Sequence, residues 1–153
     1  MNSTKTQVAG IRFYNENYKY NVKSIRKIRQ WLVSCAAMEG KRIQELNFIF
    51  CDDNYLLNIN IKYLKHDYLT DIITFDYSGD KSILSGDAYI SIDRAKENAI
   101  LYKQTLQKEV KRLLIHGLLH LIGYSDKNEK AKKLMRELED RYLEKFCNES
   151  SHR

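Results

Sequence analysis

The sequence predicts an α+β fold: a single domain with an about four-stranded mixed sheet covered by about five helices. Three observations carry this expectation. Four short runs have strand composition, at Ile11–Tyr14, Glu45–Cys51, Asp71–Tyr77 and Asp87–Ile92. Longer stretches between and after them repeat apolar residues at helical spacing. The chain has 153 residues, is 43% hydrophobic and contains no proline. That length suits one full core and is too short for two, and the composition holds no linker.

Taken in order, Ile11–Tyr14 is a short β-like run. Val22–Ala37 then places Ile25, Ile28, Leu32, Cys35 and Ala36 on one stripe, with Lys23, Arg26, Lys27 and Arg29 largely outside it. Gly40 is placed to end that helix. Glu45–Cys51 (ELNFIFC) is rich in strand formers, after which Asp52 or Asp53 can cap a helix through Asn54–Tyr63. Asp71–Tyr77 is a second strong strand, followed by a polar loop, Ser78–Leu84. A turn around Ser85–Gly86 leads into the alternating Asp87–Ile92. Asp93 can cap a helix over Arg94–Leu106, the next helix spans Gln107–Ile122, and Lys127–Phe146 repeats Ala131, Leu134, Met135, Leu138, Tyr142 and Phe146.

Several classes are set aside by composition. Met1–Gln7 is polar with no apolar region after it, unlike a signal peptide, and no run reaches the roughly 18–20 apolar residues of a membrane span. Cys35, Cys51 and Cys147 are odd in number and widely spaced, fitting neither a disulfide framework nor a sulfur-ligated zinc site. A cytoplasmic protein with reduced cysteines is expected. Net charge is +6, and it is uneven: residues 1–93 carry 12 basic and 11 acidic side chains, residues 94–153 carry 14 and 9. A basic half favours a polyanionic partner such as RNA, although many proteins of this charge bind no nucleic acid.

The basic half also holds LLIHGLLHLIGYSD, Leu113–Asp126. At 100° per residue, Val110, Leu113, Leu114, Gly117, Leu118 and Leu121 form a core stripe, and His116 and His120 lie together on its flank. Residues four apart share a helix face, so both imidazoles can reach one metal ion. The alternative is a pair of partly buried histidines that only complete core packing. Glu109 points the same way, to orient a ligand or to face solvent. Gly123 can end the helix in a left-handed conformation, after which the chain turns back and position 126 approaches the pair. This is the spacing of the zincin pattern H-E-x-x-H-x-x-G-x-x-H. Two readings stand at this point: Asp126 as a carboxylate third ligand, or Asp126 or else Ser125 as only an N-cap of the last helix, with Glu129 completing a capping box; with two oxygens, one carboxylate can serve both. The glutamate that zinc peptidases place beside the first histidine is absent, because that position is Gly117. Peptidase chemistry is therefore disfavoured, while three ligands leave a position open for water and hydrolysis. No general base stands out; Thr70 and Asp71 adjoin a strand that can pass beside the site.

HGLLHLIGYSD at 116–126 resembles the H-G-x-L-H-L-x-G-Y-D-H signature of the YbeY family of bacterial rRNA-maturation endoribonucleases. Asn60, Tyr63 and Asp67, followed by Thr70-Asp71-Ile72-Ile73-Thr74-Phe75, resemble that family's N-x-x-Y-R-x-K-D-x-P-T-D-V-L-S-F segment. Gly86–Asp93 is similar to its G-D-I-x-I-S strand. The likeness runs in three ordered blocks over roughly residues 55–126. It departs at Asp126, where the family has histidine, at Ser125, where it has aspartate, and at Leu64, where it has arginine. Lys62, Lys65 or His66 are the nearby cations that can replace that arginine. The resemblance implies a fold related to zinc metalloproteases, one Zn²⁺ per chain, and His116, His120 and Asp126 as metal-binding and catalytic residues. It further implies single-strand-specific RNA cleavage in 16S rRNA 3′-end maturation and ribosome quality control. The expected partners are the 16S rRNA precursor and the ribosome, with a ribosomal protein or GTPase as a candidate protein partner. Two rivals are a ribosome-binding assembly factor with a structural zinc and a metal-dependent hydrolase of another substrate.

Overall fold

Alternating side chains build the centre of the molecule. The structure, a computed structural model, describes residues 10–151; Met1–Gln7, with its polar sequence, lies outside them. Strand β2 (Arg42–Cys51) sends Leu46, Phe48 and Phe50 into the main core, all fully buried, and turns Ile49 and Cys51 to the other face. Strand β4 (Ile83–Ser91) does the same with Leu84, Ala88 and Ile90. Strand β1 (Gly10–Glu16) runs parallel to β2 and stacks Phe13 on Phe48 at 5.5 Å. Strand β3 (Ile72–Asp76) is antiparallel to β4, while β4 is parallel to β2. The order is β1-β2-β4-β3, a mixed four-stranded sheet as the sequence predicts.

Among the described residues five α-helices complete the fold, with boundaries that differ from the sequence expectation for local reasons. Helix α1 (Ile25–Met38) buries Ile28, Trp31, Leu32, Cys35 and Ala36, and Gly40 follows it at φ +75°. Helix α2 (Asp53–Ile59) is capped by Asp52, whose carboxylate accepts from the Tyr55 N–H at 2.8 Å. It passes into a π-helical turn, Asn60–Leu64, rather than continuing as one helix to Tyr63. Helix α3 (Ile92–Leu101) is capped by Ser91, not Asp93: the Ser91 hydroxyl accepts from the Arg94 N–H at 3.1 Å. Asp93 instead accepts from the Asp53 N–H at 2.9 Å, tying α2 to α3. The helix stops at Leu101, and Thr105 caps a new one, α4 (Leu106–Ile122), by accepting from the Lys108 N–H. The turn placed at Ser85–Gly86 is also corrected. Those residues lie inside β4, and the chain reverses earlier, where the Asp80 carboxylate accepts from the Ser82 N–H at 2.8 Å. Gly86 serves close approach instead, since a Cβ there would lie 2.5 Å from the Phe75 carbonyl and 3.0 Å from Leu121.

Helix α5 (Glu129–Ser151) packs across α1 and α4 and closes the core with Met135, Leu138, Tyr142 and Leu143. The Trp31 indole N–H donates to the Tyr142 carbonyl at 2.7 Å, and the hydroxyls of Tyr124 and Tyr142 both donate to Glu39 at the end of α1. Asn128 caps α5, its side-chain oxygen accepting from the Ala131 N–H at 2.8 Å. The capping alternative for Ser125, Asp126 and Glu129 is thereby replaced, and Asp126 is left to other work. Among the described residues no helix is long and apolar enough to cross a membrane. The close seat of Gly86 gives a stability expectation. Gly86→Ala should lose about 1–3 kcal/mol in urea unfolding, because the added methyl must push β3 or α4 away.

Candidate metal centre

Helix α4 carries His116 and His120 at the border of the core, with side chains 18% and 23% exposed. Gly123 ends the helix at φ +126°, a conformation that a side chain would strain, and its N–H bonds back to His120 and Leu119. The reversal brings Asp126 across the pair. Its Oδ2 stands 3.3 Å from His120 Nε2 and 3.5 Å from His116 Nε2. One donor atom from each of the three lies within 4.8 Å of the others. Zinc–ligand bonds of about 2.0–2.1 Å at tetrahedral angles put ligand atoms about 3.3–3.4 Å apart, so the spacing fits such an ion.

The far nitrogens fit as well. His120 Nδ1 faces the Tyr124 carbonyl at 3.0 Å, and His116 Nδ1 faces Glu139 Oε2 at 2.5 Å. Each ring therefore turns Nε2 toward Asp126. No sulfur joins the group: Cys35 and Cys51 are buried, and burial with Asp52 and Asp53 pushes the Cys51 thiol up to about 12. Among the described residues the donor set has three members, two nitrogens and an oxygen.

His116 and Asp126 open onto a cleft of about 890 Å³. Its lining includes the buried or half-buried Asp71, Asn98, Glu109 and Glu139. From the exposed side of α5 come Lys132, Lys133 and Arg136 together with Glu129 and Glu137, Lys132 standing 3.7 Å from Glu129. Glu109 neither faces solvent nor touches a metal-site histidine; it is 5% exposed and lies 3.4 Å from the Asn98 amide, which also donates to Asp71 at 3.2 Å. Burial raises the carboxyls of both Asp71 and Glu109 above the usual range. Burial also disfavours a charged His116, but Glu139, then Asp71 and Asp126, outweigh it and hold His116 above its ordinary value. His120 is held below, by burial and by its neighbour His116. Asp71 thus reaches the site's cleft, whereas Thr70 does not line it. Nor do Lys62, Lys65 and His66: Lys62 sits over the Tyr63 ring at 5.2 Å, and His66 stacks on Tyr68. Glu139 and Asn98 escape sequence reasoning. The available signal for Glu139 was an acid set between Met135, Leu138 and Tyr142 on the apolar face of the last helix.

A family model described as Endoribonuclease YbeY matches residues 11–147. An Endoribonuclease YbeY from Cytophaga hutchinsonii is 50% identical over 131 residues, covering 86% of this chain and 92% of that relative. One from Karelsulcia muelleri is 49% identical over 133 residues, covering 87% and 93%. The solution structure of a Thermotoga maritima protein is similar at a TM-score of 0.66 and 25% identity, over 93% of this chain and 92% of that one.

The buried Glu109 generates a pH expectation. Its folded value is raised, so the stability it permits is complete below the unfolded value and declines as pH rises through the folded one. Glu109→Gln removes that decline. In chelator, urea unfolding should show the variant gaining on the wild type as pH rises above the ordinary glutamate value; a gain independent of pH would rule out the buried charge as its source.

Proposed function

The chain belongs to the YbeY family of endoribonucleases, and on that premise we propose that it is a zinc-dependent, single-strand-specific endoribonuclease. In this reading residues 1–153 form one catalytic domain that acts in the cytoplasm on the 16S rRNA precursor, in 3′-end maturation and ribosome quality control. The ribosome, and a ribosomal protein or GTPase, are its partners. One observation carries the site assignment: His116, His120 and Asp126 bring donor atoms together, and His116 and Asp126 open onto a cleft whose lining includes Lys132, Lys133 and Arg136.

His116 and His120 would hold the ion through Nε2 and Asp126 through a carboxylate oxygen. Bound there, zinc supplies Lewis acidity for phosphodiester hydrolysis. A three-member donor set leaves the fourth tetrahedral position for solvent or substrate, which favours catalysis over a structural ion. The α5 cations Lys132, Lys133 and Arg136 attract and orient backbone phosphates beside the centre. Tyr102, half exposed in the lining of the same cleft, offers a ring on which an unpaired base can stack. Asp71 lines the same cleft next to His116, in a buried setting that favours its protonated form, and is the acid placed to exchange a proton with a group bound there. Position 117 adds nothing to the chemistry. Gly117 faces Ile72 and Ala88, so even a glutamate side chain would be driven into the sheet.

Metal analysis combined with cleavage of single- and double-stranded RNA tests the reading. The wild type should hold about one zinc per chain and cleave only the single strand. His116→Ala, His120→Ala and Asp126→Ala should each lose bound metal and cleave at least about 100-fold more slowly. Unchanged zinc content in Asp126→Ala would reject Asp126 as a ligand, and equal cleavage by all four proteins would reject the site.

A further inference from the structure

Glu139 is out of place as a packing residue. It is 4% exposed, on the stripe of α5 that otherwise presents Met135, Leu138 and Tyr142 to the core. A carboxylate there is costly unless both oxygens are partnered, and both are. Oε1 accepts from Arg112 Nη1 at 2.8 Å, and Oε2 meets His116 Nδ1 at 2.5 Å. Arg112 is itself fixed by a second bond, from Nη2 to Asp140 at 2.9 Å. The carboxylate can therefore only accept from the imidazole, which sets the proton on Nδ1 and leaves Nε2 as a lone-pair donor.

We propose that Glu139, braced by Arg112, is a positioning residue of the metal centre: it fixes the His116 tautomer and ring orientation and so sets the affinity for the divalent ion. The effect on affinity rests on the proposed metal site; the tautomer is a property of the metal-free protein. His120 is held differently, by the Tyr124 carbonyl, which no side-chain substitution removes. Asp126 and Glu139 both belong to the segment after α4, so the centre is assembled across the contact between α4 and α5. Seating α5 is then a condition for tight binding and not only for stability.

The isosteric variant Glu139→Gln separates positioning from packing. Its single oxygen goes to the Arg112 guanidinium, which turns the amide NH₂ toward His116 Nδ1 and calls for a lone pair there. Nitrogen–proton NMR correlations of the imidazoles at alkaline pH, without metal, read the tautomers. Chelator competition with Zn²⁺ reads affinity, and urea unfolding checks that the fold is retained. Expected are Nδ1–H on both histidines in the wild type, a switch to Nε2–H on His116 alone in Glu139→Gln, and a zinc Kd raised about 10–100-fold. A wild-type His116 protonated on Nε2 would overturn the proposal with no variant needed. So would a folded Glu139→Gln protein that binds zinc as tightly as the wild type. Zinc bound by neither protein would overturn the metal reading, and this proposal with it.

Discussion

The seat of α4 on β3 and β4 governs the site. A Cβ at position 117 would stand 3.0 Å from the Ile72 methyl and 3.4 Å from Ala88, and Gly86 leaves room beneath Leu121 in the same contact. With the helix this low, its core stripe is consumed by the sheet, and the residues one step around it are held at the edge. His116 and His120 occupy that edge. The same approach brings the start of β3, and with it Asp71, beside His116. The lack of a glutamate after the first histidine is thus a packing constraint as much as a chemical difference from zinc peptidases.

A helix edge provides two candidate ligands but no enclosure, and the chain beyond α4 supplies it. Gly123 turns the backbone, Asp126 crosses the histidines, and α5 lies down along them, anchored by the bonds Trp31 to Tyr142 and Tyr142 to Glu39. The result separates charge by depth. Asp71, Glu109 and Glu139 lie beneath the centre, each with a polar partner from Asn98 or Arg112. Lys132, Lys133 and Arg136 lie at the rim. The buried acids favour a cation, while Lys132, Lys133 and Arg136 offer charge to a polyanion from a rim they share with Glu129 and Glu137.

Features that depend on local period were legible in the sequence. The alternation in ELNFIFC gives the inward Leu46, Phe48 and Phe50, and the histidine spacing with Gly123 and Asp126 is enough to bring three donors together. The features that escaped were set by contacts distant in the chain. Gly86 looks like a turn residue because glycine usually is one; its reason for being glycine is a carbonyl of β3 and a leucine of α4. Asp93 looks like a cap, but Ser91 takes that role once Asp93 is engaged by the Asp53 N–H. Glu109 has the angular position of an exposed acid, and only the packing of α3 on α4 buries it. Glu139 needs the pairing of α4 with α5 before its partner, His116, is known.

Asp126 in place of a third histidine changes the electrostatics of the centre more than its shape. A carboxylate oxygen reaches both Nε2 atoms at ligand spacing, so the geometry is met either way. The charge is not the same. Two neutral imidazoles and a carboxylate leave a bound dication one unit less positive than three imidazoles would. That strengthens the hold on the ion and weakens the residual field that a phosphate meets. The floor acids act in the same direction, since His116 is also bonded to Glu139. In the proposed reading such a site would need positive charge from elsewhere to gather RNA, and Leu64 supplies none. The α5 rim does: Lys132, Lys133 and Arg136 stand on the helix that also carries Glu139. In the proposed reading one helix would set the donor geometry of His116 on its buried side and carry the cations offered to the polyanion on its exposed side.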